Sequence, residues 1–288
     1  MPPQRSGECR AGWAFTGPRP RPGGNWQKVW AAVRDELLAW VFPWPPYCLG
    51  CGADLPHWPP ADPAICPRCQ ARLGHEPGSR CLWCDRPAWL AHPDEPCSQC
   101  RTLGPPWVAV RAVGTYRGLL RRLILRMKYE DEPYLAELLG RAMAARTGGW
   151  PAAALVVPVP MHPDRLRQRG FNQAILLARA VARTGGWQLA ENLLVRRQAG
   201  AGQATLGAAG RRLNVAGVFA PSPRARRLAG RPVLLVDDVL TTGRTLAAAC
   251  EALQALGAGA VYGLVAAATP LQPARYTAPE RSGEMMPL

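Results

Sequence analysis

Eight of the ten cysteines stand as four C-x-x-C pairs, Cys48/Cys51, Cys66/Cys69, Cys81/Cys84 and Cys97/Cys100, and this spacing constrains the first third of the chain more than any other feature. A two-residue gap lets both sulfurs of a tight turn reach one ion, and two such turns complete the tetrahedral four-thiolate shell that zinc prefers. Eight ligands imply two zinc ions. The short gaps between pairs assign Cys48, Cys51, Cys66 and Cys69 to one ion and Cys81, Cys84, Cys97 and Cys100 to the other, with cross-braced pairing as the alternative. Disulfide stapling is disfavoured in a reducing cytosol, and a thioredoxin-like redox site needs a single C-x-x-C beside a βαβ unit. A closed four-thiolate shell has no open position for water, so these ions hold shape and perform no hydrolysis.

The stretch from Cys48 to Cys100 is thick with Pro and Gly and reads as a small loop-rich module spanning 37–104. It carries six acids (Asp54, Asp62, Glu76, Asp85, Asp94, Glu95) against four arginines (Arg68, Arg72, Arg80, Arg86), and each four-cysteine zinc adds two negative charges. The module is therefore not the basic surface, although the whole chain carries a formal charge of +15, which invites a polyanion partner. Arginine supplies 33 of the 35 basic residues, a skew that codon bias also produces. Residues 1–36 show no clear helical or strand period and read as a disordered arm or a misassigned start, the short apolar segment Leu37 to Trp44 leads into the cysteine-rich stretch, and residues 271–288 read as a loose tail. No apolar run approaches the roughly 18 residues of a membrane span, and the charged N-terminus lacks a signal-peptide core, which places the chain in the cytosol. Cys250, in a predicted helix, reads as a buried apolar residue.

From Trp107 onward strand-like and helix-like segments alternate, the order expected of an α/β domain over 105–270 with a parallel sheet and helices on both faces. Candidate strands are Ala154 to Val159, Gln188 to Val195, Val233 to Asp237 and Ala260 to Ala267. Between Arg117 and Met127 the residues Leu119, Leu120, Leu123, Ile124 and Met127 share one helical face and Arg117, Arg121, Arg122 and Arg126 lie elsewhere, which predicts a basic amphipathic helix.

The sharpest motif runs from Val233 to Thr245, VLLVDDVLTTGRT, an apolar strand ending in two acids before a Thr/Gly loop, with a helix beginning near Arg244. Such a loop offers backbone N–H groups and a helix N-terminus to an anion. Thr241, Thr242 and Thr245 add hydroxyl donors, and Gly243 allows close approach. No G-x-x-x-x-G-K-[ST] occurs, so ATP hydrolysis is a poor fit.

The segment resembles the signature of type I phosphoribosyltransferases. By that resemblance Asp237 and Asp238 contact the ribose hydroxyls of phosphoribosyl pyrophosphate, and Thr241, Thr242, Gly243, Arg244 and Thr245 hold its 5′-phosphate. Val157-Pro-Val-Pro160 with Arg165 and Arg169-Gly-Phe-Asn-Gln-Ala174, Gln203 to Leu206 with Arg211-Arg-Leu-Asn-Val215 and Phe219, and Tyr116-Arg-Gly118 with Lys128 narrow the resemblance to the ComF family. The parent fold binds pyrophosphate on the loop after its first sheet strand, whose counterpart here is Val159 to Arg169, with Pro160, Arg165 and Arg169 as candidates. The family resemblance implies a role in natural transformation, handling incoming single-stranded DNA alongside the uptake helicase and recombination machinery. The alternative is an active Mg-dependent phosphoribosyltransferase of nucleotide metabolism or salvage, but no acceptor pocket and no catalytic residue is legible. Eight arginines and no acid lie between Asn192 and Val236, and Arg111 to Lys128 adds six basic residues without an acid.

Overall fold

An apolar run with no polar side is satisfied only by cover on both faces, and Val233 to Val236 take that position, fully buried inside a parallel sheet. The computed structural model describes residues 47–55, 65–74, 78–88, 95–197, 217–223 and 225–271, all within one unit, Pro45–Leu288. The expectations for residues 1–36, Leu37 to Trp44, Gln203 to Leu206, Arg211 to Val215 and the tail from 272 onward fall outside the described residues.

The sheet contains β1 (Ala109–Thr115), β2 (Leu155–Pro158), β3 (Gln188–Leu189), β6 (Val233–Leu240) and β7 (Val261–Ala268), in the order β1-β7-β6-β2-β3 with every neighbouring pair parallel. A separate antiparallel pair joins β4 (Leu194–Arg196) to β5 (Phe219–Pro221). The helices are α1 (Pro67–Ala71), α2 (Ser98–Leu103), α3 (Gly118–Tyr129), α4 (Leu135–Ala144), α5 (Pro163–Arg169), α6 (Gln173–Gly185) and α7 (Arg244–Ala255). From β2 the chain adds β3 on one side and later β6 on the other, so the strand order reverses between β2 and β6. Ligand crevices in open parallel sheets form at such a reversal, outside the carboxyl ends of the strands.

The sheet is covered on two sides. Leu235 packs in one cluster with Ala249 and Leu253 of α7, while α6 packs on β2 and β6 from the other face. α4 lies so close on α6 that a Cβ at Gly140 would fall 2.3 Å from that of Ala180. α7 is seated as tightly, since a Cβ at Gly263 of β7 would meet Leu246 at 2.7 Å and Val110 at 2.9 Å. Fully burying each Leu or Val in these layers contributes about 1.5–3 kcal/mol.

Three strand expectations match to within a few residues, with β6 running on to Leu240. Gln188 to Val195 is not one strand. The Ala190 amide still donates to Val156 at 2.9 Å, but Glu191 then clamps Arg179 of α6 at 2.5 and 2.8 Å, and the chain turns out of the sheet to pair Leu194 to Arg196 with β5. β1 is an edge strand absent from the expected set. α3 buries the five apolar residues predicted for it.

Candidate functional site

Successive residues of a strand face opposite sides, so a pair of adjacent acids cannot share one environment. β2 ends at Pro158 opposite Val236, and β6 carries Asp237 and Asp238 past it into the crevice at the strand reversal. Asp238 turns toward α6 and is buried, its Oδ2 accepting from Lys128 Nζ at 2.7 Å and Gln173 Nε2 at 2.6 Å. Gln173 Oε1 in turn accepts from the Arg169 guanidinium at 2.7 Å, and that guanidinium lies over the Tyr129 ring at 4.9 Å. Asp237 turns toward the α7 side and stays partly exposed. Burial, and then the charge of Asp238, push its carboxyl up to about 7, against the Asp238 amide, Lys128 and Arg196, which favour the ionised form.

The loop beyond them is open. Thr241, Thr242, Arg244 and Thr245 are exposed, and Gly243 adopts φ +80°, a conformation that favours glycine, to start α7. The Thr242 hydroxyl oxygen lies 3.5 Å from the Arg244 amide nitrogen, the outer limit of a hydrogen bond. The first turn of α7 holds no acidic residue, so its amides present an uncompensated positive end. A cavity of about 20 Å³, room for one water, lies among Asp237, Thr241, Gly243 and Thr245.

The loop after β2 faces the same crevice. Pro160 is partly exposed, and Asn172 fixes the turn that follows, donating to Val159 O at 3.2 Å and accepting from the Ala174 amide at 3.0 Å. Arg165 and Arg169 line a cleft of about 470 Å³ together with Lys128, Tyr129, Asp131, Gln168 and Phe171. In the sequence Gln173 and Lys128 stand out only as members of the family-like motifs, and Arg196 only as one of eight arginines in an acid-free run. Arg196 sits over Phe219 at 5.4 Å, and burial, then the charge of Arg165, lower its pKa while Asp237 opposes them.

The cysteines form two groups. In each of Cys48/Cys51/Cys66/Cys69 and Cys81/Cys84/Cys97/Cys100 the sulfur atoms all lie within 4.8 Å of one another, the sequential grouping. Backbone amides point at one sulfur of each group: Gly50 and Cys66 at Cys48 (3.3 and 3.2 Å), and Cys97 at Cys81 (3.1 Å). Burial works to raise the Cys48 thiol, but the amides of Cys66, Cys51 and Gly50 outweigh it and bring the thiol down to about 6. The thiolate is the metal-binding form, so a divalent ion that prefers sulfur fits both groups.

The second group backs the Thr241 to Thr245 loop. Arg86 donates to Thr269 O at 3.2 Å and to Gln99 Oε1 at 2.6 Å, and Gln99 Nε2 donates to Thr242 O at 3.2 Å. Trp107, anchored by its indole N–H on Trp83 O at 3.0 Å, closes behind Gly243, where a Cβ would meet it at 3.1 Å. Asp85 fastens the same turn to the sheet, accepting from the Ala112 amide at 2.7 Å.

Much of the basic segment from Arg111 to Lys128 is structural. Arg122 and Arg126 donate to Gly50 O and Leu49 O of the Cys48/Cys51 turn at 2.8 and 2.6 Å, and Arg111 donates to Leu82 O of the Cys81/Cys84 turn at 3.3 Å. With Lys128 on Asp238, four of these six cations hold the fold together, so packing accounts for much of this basic run.

The phosphoribosyl transferase domain family matches residues 176–286. The DNA utilization protein YhgH of Salmonella typhi is 33% identical over 213 residues, covering 72% of this chain and 89% of that protein. Competence protein F of Haemophilus influenzae is 30% identical over 216 residues, covering 73% and 91%. The chain belongs to the ComF family. Competence protein ComFC of Bacillus subtilis, 26% identical over 204 residues, is a more distant relative. As in the expected fold, a parallel sheet of phosphoribosyltransferase type follows the paired cysteines. Among the described residues of this ComF-family chain no helix is long and apolar enough to cross a membrane.

Proposed function

We propose that this ComF-family protein serves DNA uptake in natural transformation, holding incoming single-stranded DNA in the cytosol by its phosphates on the Thr241 to Thr245 loop. The observation that carries this reading is the loop itself, an exposed threonine and glycine cradle at an uncompensated helix N-terminus, open at the strand reversal. The relatives' names, competence protein and DNA utilization protein, support the process. Two zinc ions would complete the cysteine groups and supply rigidity, with no chemical step. Magnesium and phosphoribosyl pyrophosphate are further ligands of the same crevice, with Asp237 as the more available carboxylate because Asp238 is engaged by Lys128 and Gln173 while Asp237 Oδ1 accepts only the Asp238 amide among the described residues. The uptake helicase and recombination machinery are the partners this role implies.

The test is fluorescence anisotropy with a single-stranded oligonucleotide over a range of salt. Affinity is expected to fall with salt at a slope of about −0.7 per phosphate contacted. Thr241→Val with Thr245→Val should weaken it about tenfold or more, as charge-assisted donors to a phosphate are lost. Equal affinity of this double variant and the unaltered protein would refute the reading.

A further inference from the structure

We propose that the cleft lined by Lys128, Tyr129, Arg165 and Arg169 takes one nucleotide of a single strand, with the base stacked on Tyr129 and the adjoining phosphate on Arg165. This is a second subsite beside the Thr241 to Thr245 cradle, and it rests on the single-stranded DNA reading of that cradle.

Tyr129 is the last residue of α3, and 68% of its surface is exposed, at the rim of a cleft and not in the core. Its ring is nonetheless held in place. The Arg169 guanidinium lies 4.9 Å from the ring centroid, Gln173 fixes that guanidinium, and Asp238 fixes Gln173. A ring oriented before the ligand arrives loses little freedom on binding, which is what a stacking platform requires. The packing of this protein does not need so exposed a ring, and a nucleobase would use its uncovered part.

The charges select the rest of the ligand. Lys128 is committed to Asp238, and Arg169 to Gln173 and Tyr129. Arg165 is exposed and has no carboxylate partner among the described residues, and its charge bears on Arg196 as a like charge. Arg165 and Arg169 line the same cleft, so an anion entering it is attracted by both guanidinium groups. Among the described residues of the lining Asp131 is the single acid against three cations, and the volume of about 470 Å³ lies within the range of small-ligand sites. Pyrophosphate alone would satisfy the arginines and leave the aromatic ring unused. A duplex offers no free base face. An unpaired nucleotide uses both.

The experiment compares binding of an oligothymidylate with binding of an abasic deoxyribose-phosphate oligomer of the same length, by anisotropy at one salt concentration. The unaltered protein is expected to prefer the base-bearing strand about tenfold, within the range of one stacked base. Tyr129→Ala should remove that preference and leave abasic affinity unchanged, while Tyr129→Phe retains it. Because the side chain is largely exposed, the alanine variant keeps the core intact. Arg165→Gln should weaken both oligomers and reduce the salt slope by about 0.7. A preference that survives in Tyr129→Ala, or no preference in the unaltered protein, overturns the subsite while the cradle reading stands. Failure of the unaltered protein to bind either oligomer overturns both.

Discussion

Stripping metal with a chelator is expected to melt both cysteine modules and to weaken oligonucleotide binding at least tenfold while the central sheet stays folded. Apart from cysteine, Leu49 and Leu73 are the buried apolar residues in the described parts of the two modules, so bound metal would supply most of their stability. Structural zinc commonly contributes about 10–16 kcal/mol in small domains of this kind. The effect reaches the proposed anion site through the second group, because Gln99 lies between Cys97 and Cys100, Trp83 between Cys81 and Cys84, and the two hold the Thr242 carbonyl and, through Trp107, the back of Gly243. Metal analysis should find two ions per chain, and circular dichroism after chelation should retain the strand and helix signal of the sheet domain. Gln99→Ala separates positioning from folding, since it should keep both ions and lose only a few-fold in affinity. Full binding by the metal-free protein would show that the second module does not support the loop.

Lys128→Met is expected to destabilise the protein by about 3–5 kcal/mol, a drop of roughly 10 °C in melting temperature, because it leaves Asp238 buried without its cation. Adding Asp238→Leu should restore most of that loss, since an apolar pair replaces a buried ionic one at little cost. Calorimetry of the single and double variants decides it, and a single variant that melts like the unaltered protein would show that the pair is not desolvated. The same crevice governs the pH dependence through Asp237. A carboxyl whose folded-state value lies near 7, above the ordinary 3.8, binds more protons folded than unfolded between those two values. Stability is therefore lost as pH rises from about 4 to about 7, with the full cost present above that window and none below it. Asp237→Asn should be more stable than the unaltered protein at pH 8, by at most about 4 kcal/mol, and no more stable near pH 3.

The parts of this architecture that are legible in sequence are those whose chemistry is local. The cysteine pairs, the apolar run into Asp237 and Asp238, and the helical period of Leu119, Leu123 and Met127 each declare themselves within a dozen residues. β1 stays hidden because its apolar residues are small and broken by Arg111 and Gly114, and because it is an edge strand whose partner, β7, lies about 150 residues away. Gln188 to Val195 reads as one strand because its apolar residues suit either sheet, and the Glu191 clamp on Arg179 that ends the first piece is a tertiary contact. The different fates of the two acids are equally non-local. Their sequence is symmetric, but Lys128 and Gln173 come from helices more than 60 residues away and reach only Asp238. Charge counting misleads at α3 for the same reason, since Arg122 and Arg126 are consumed by carbonyls of a cysteine turn more than 70 residues upstream.

The central claim is that the amides and hydroxyls from Thr241 to Thr245 receive a nucleic-acid phosphate. Backbone amide chemical shifts, followed by nuclear magnetic resonance during titration with a single-stranded oligonucleotide, test it most directly. The largest movements are predicted at Thr241, Thr242, Gly243, Arg244 and Thr245, with smaller ones at Lys128 and Gln173. Saturating DNA that moves resonances of the cysteine modules or the remaining arginines, and leaves those five amides in place, would contradict the account.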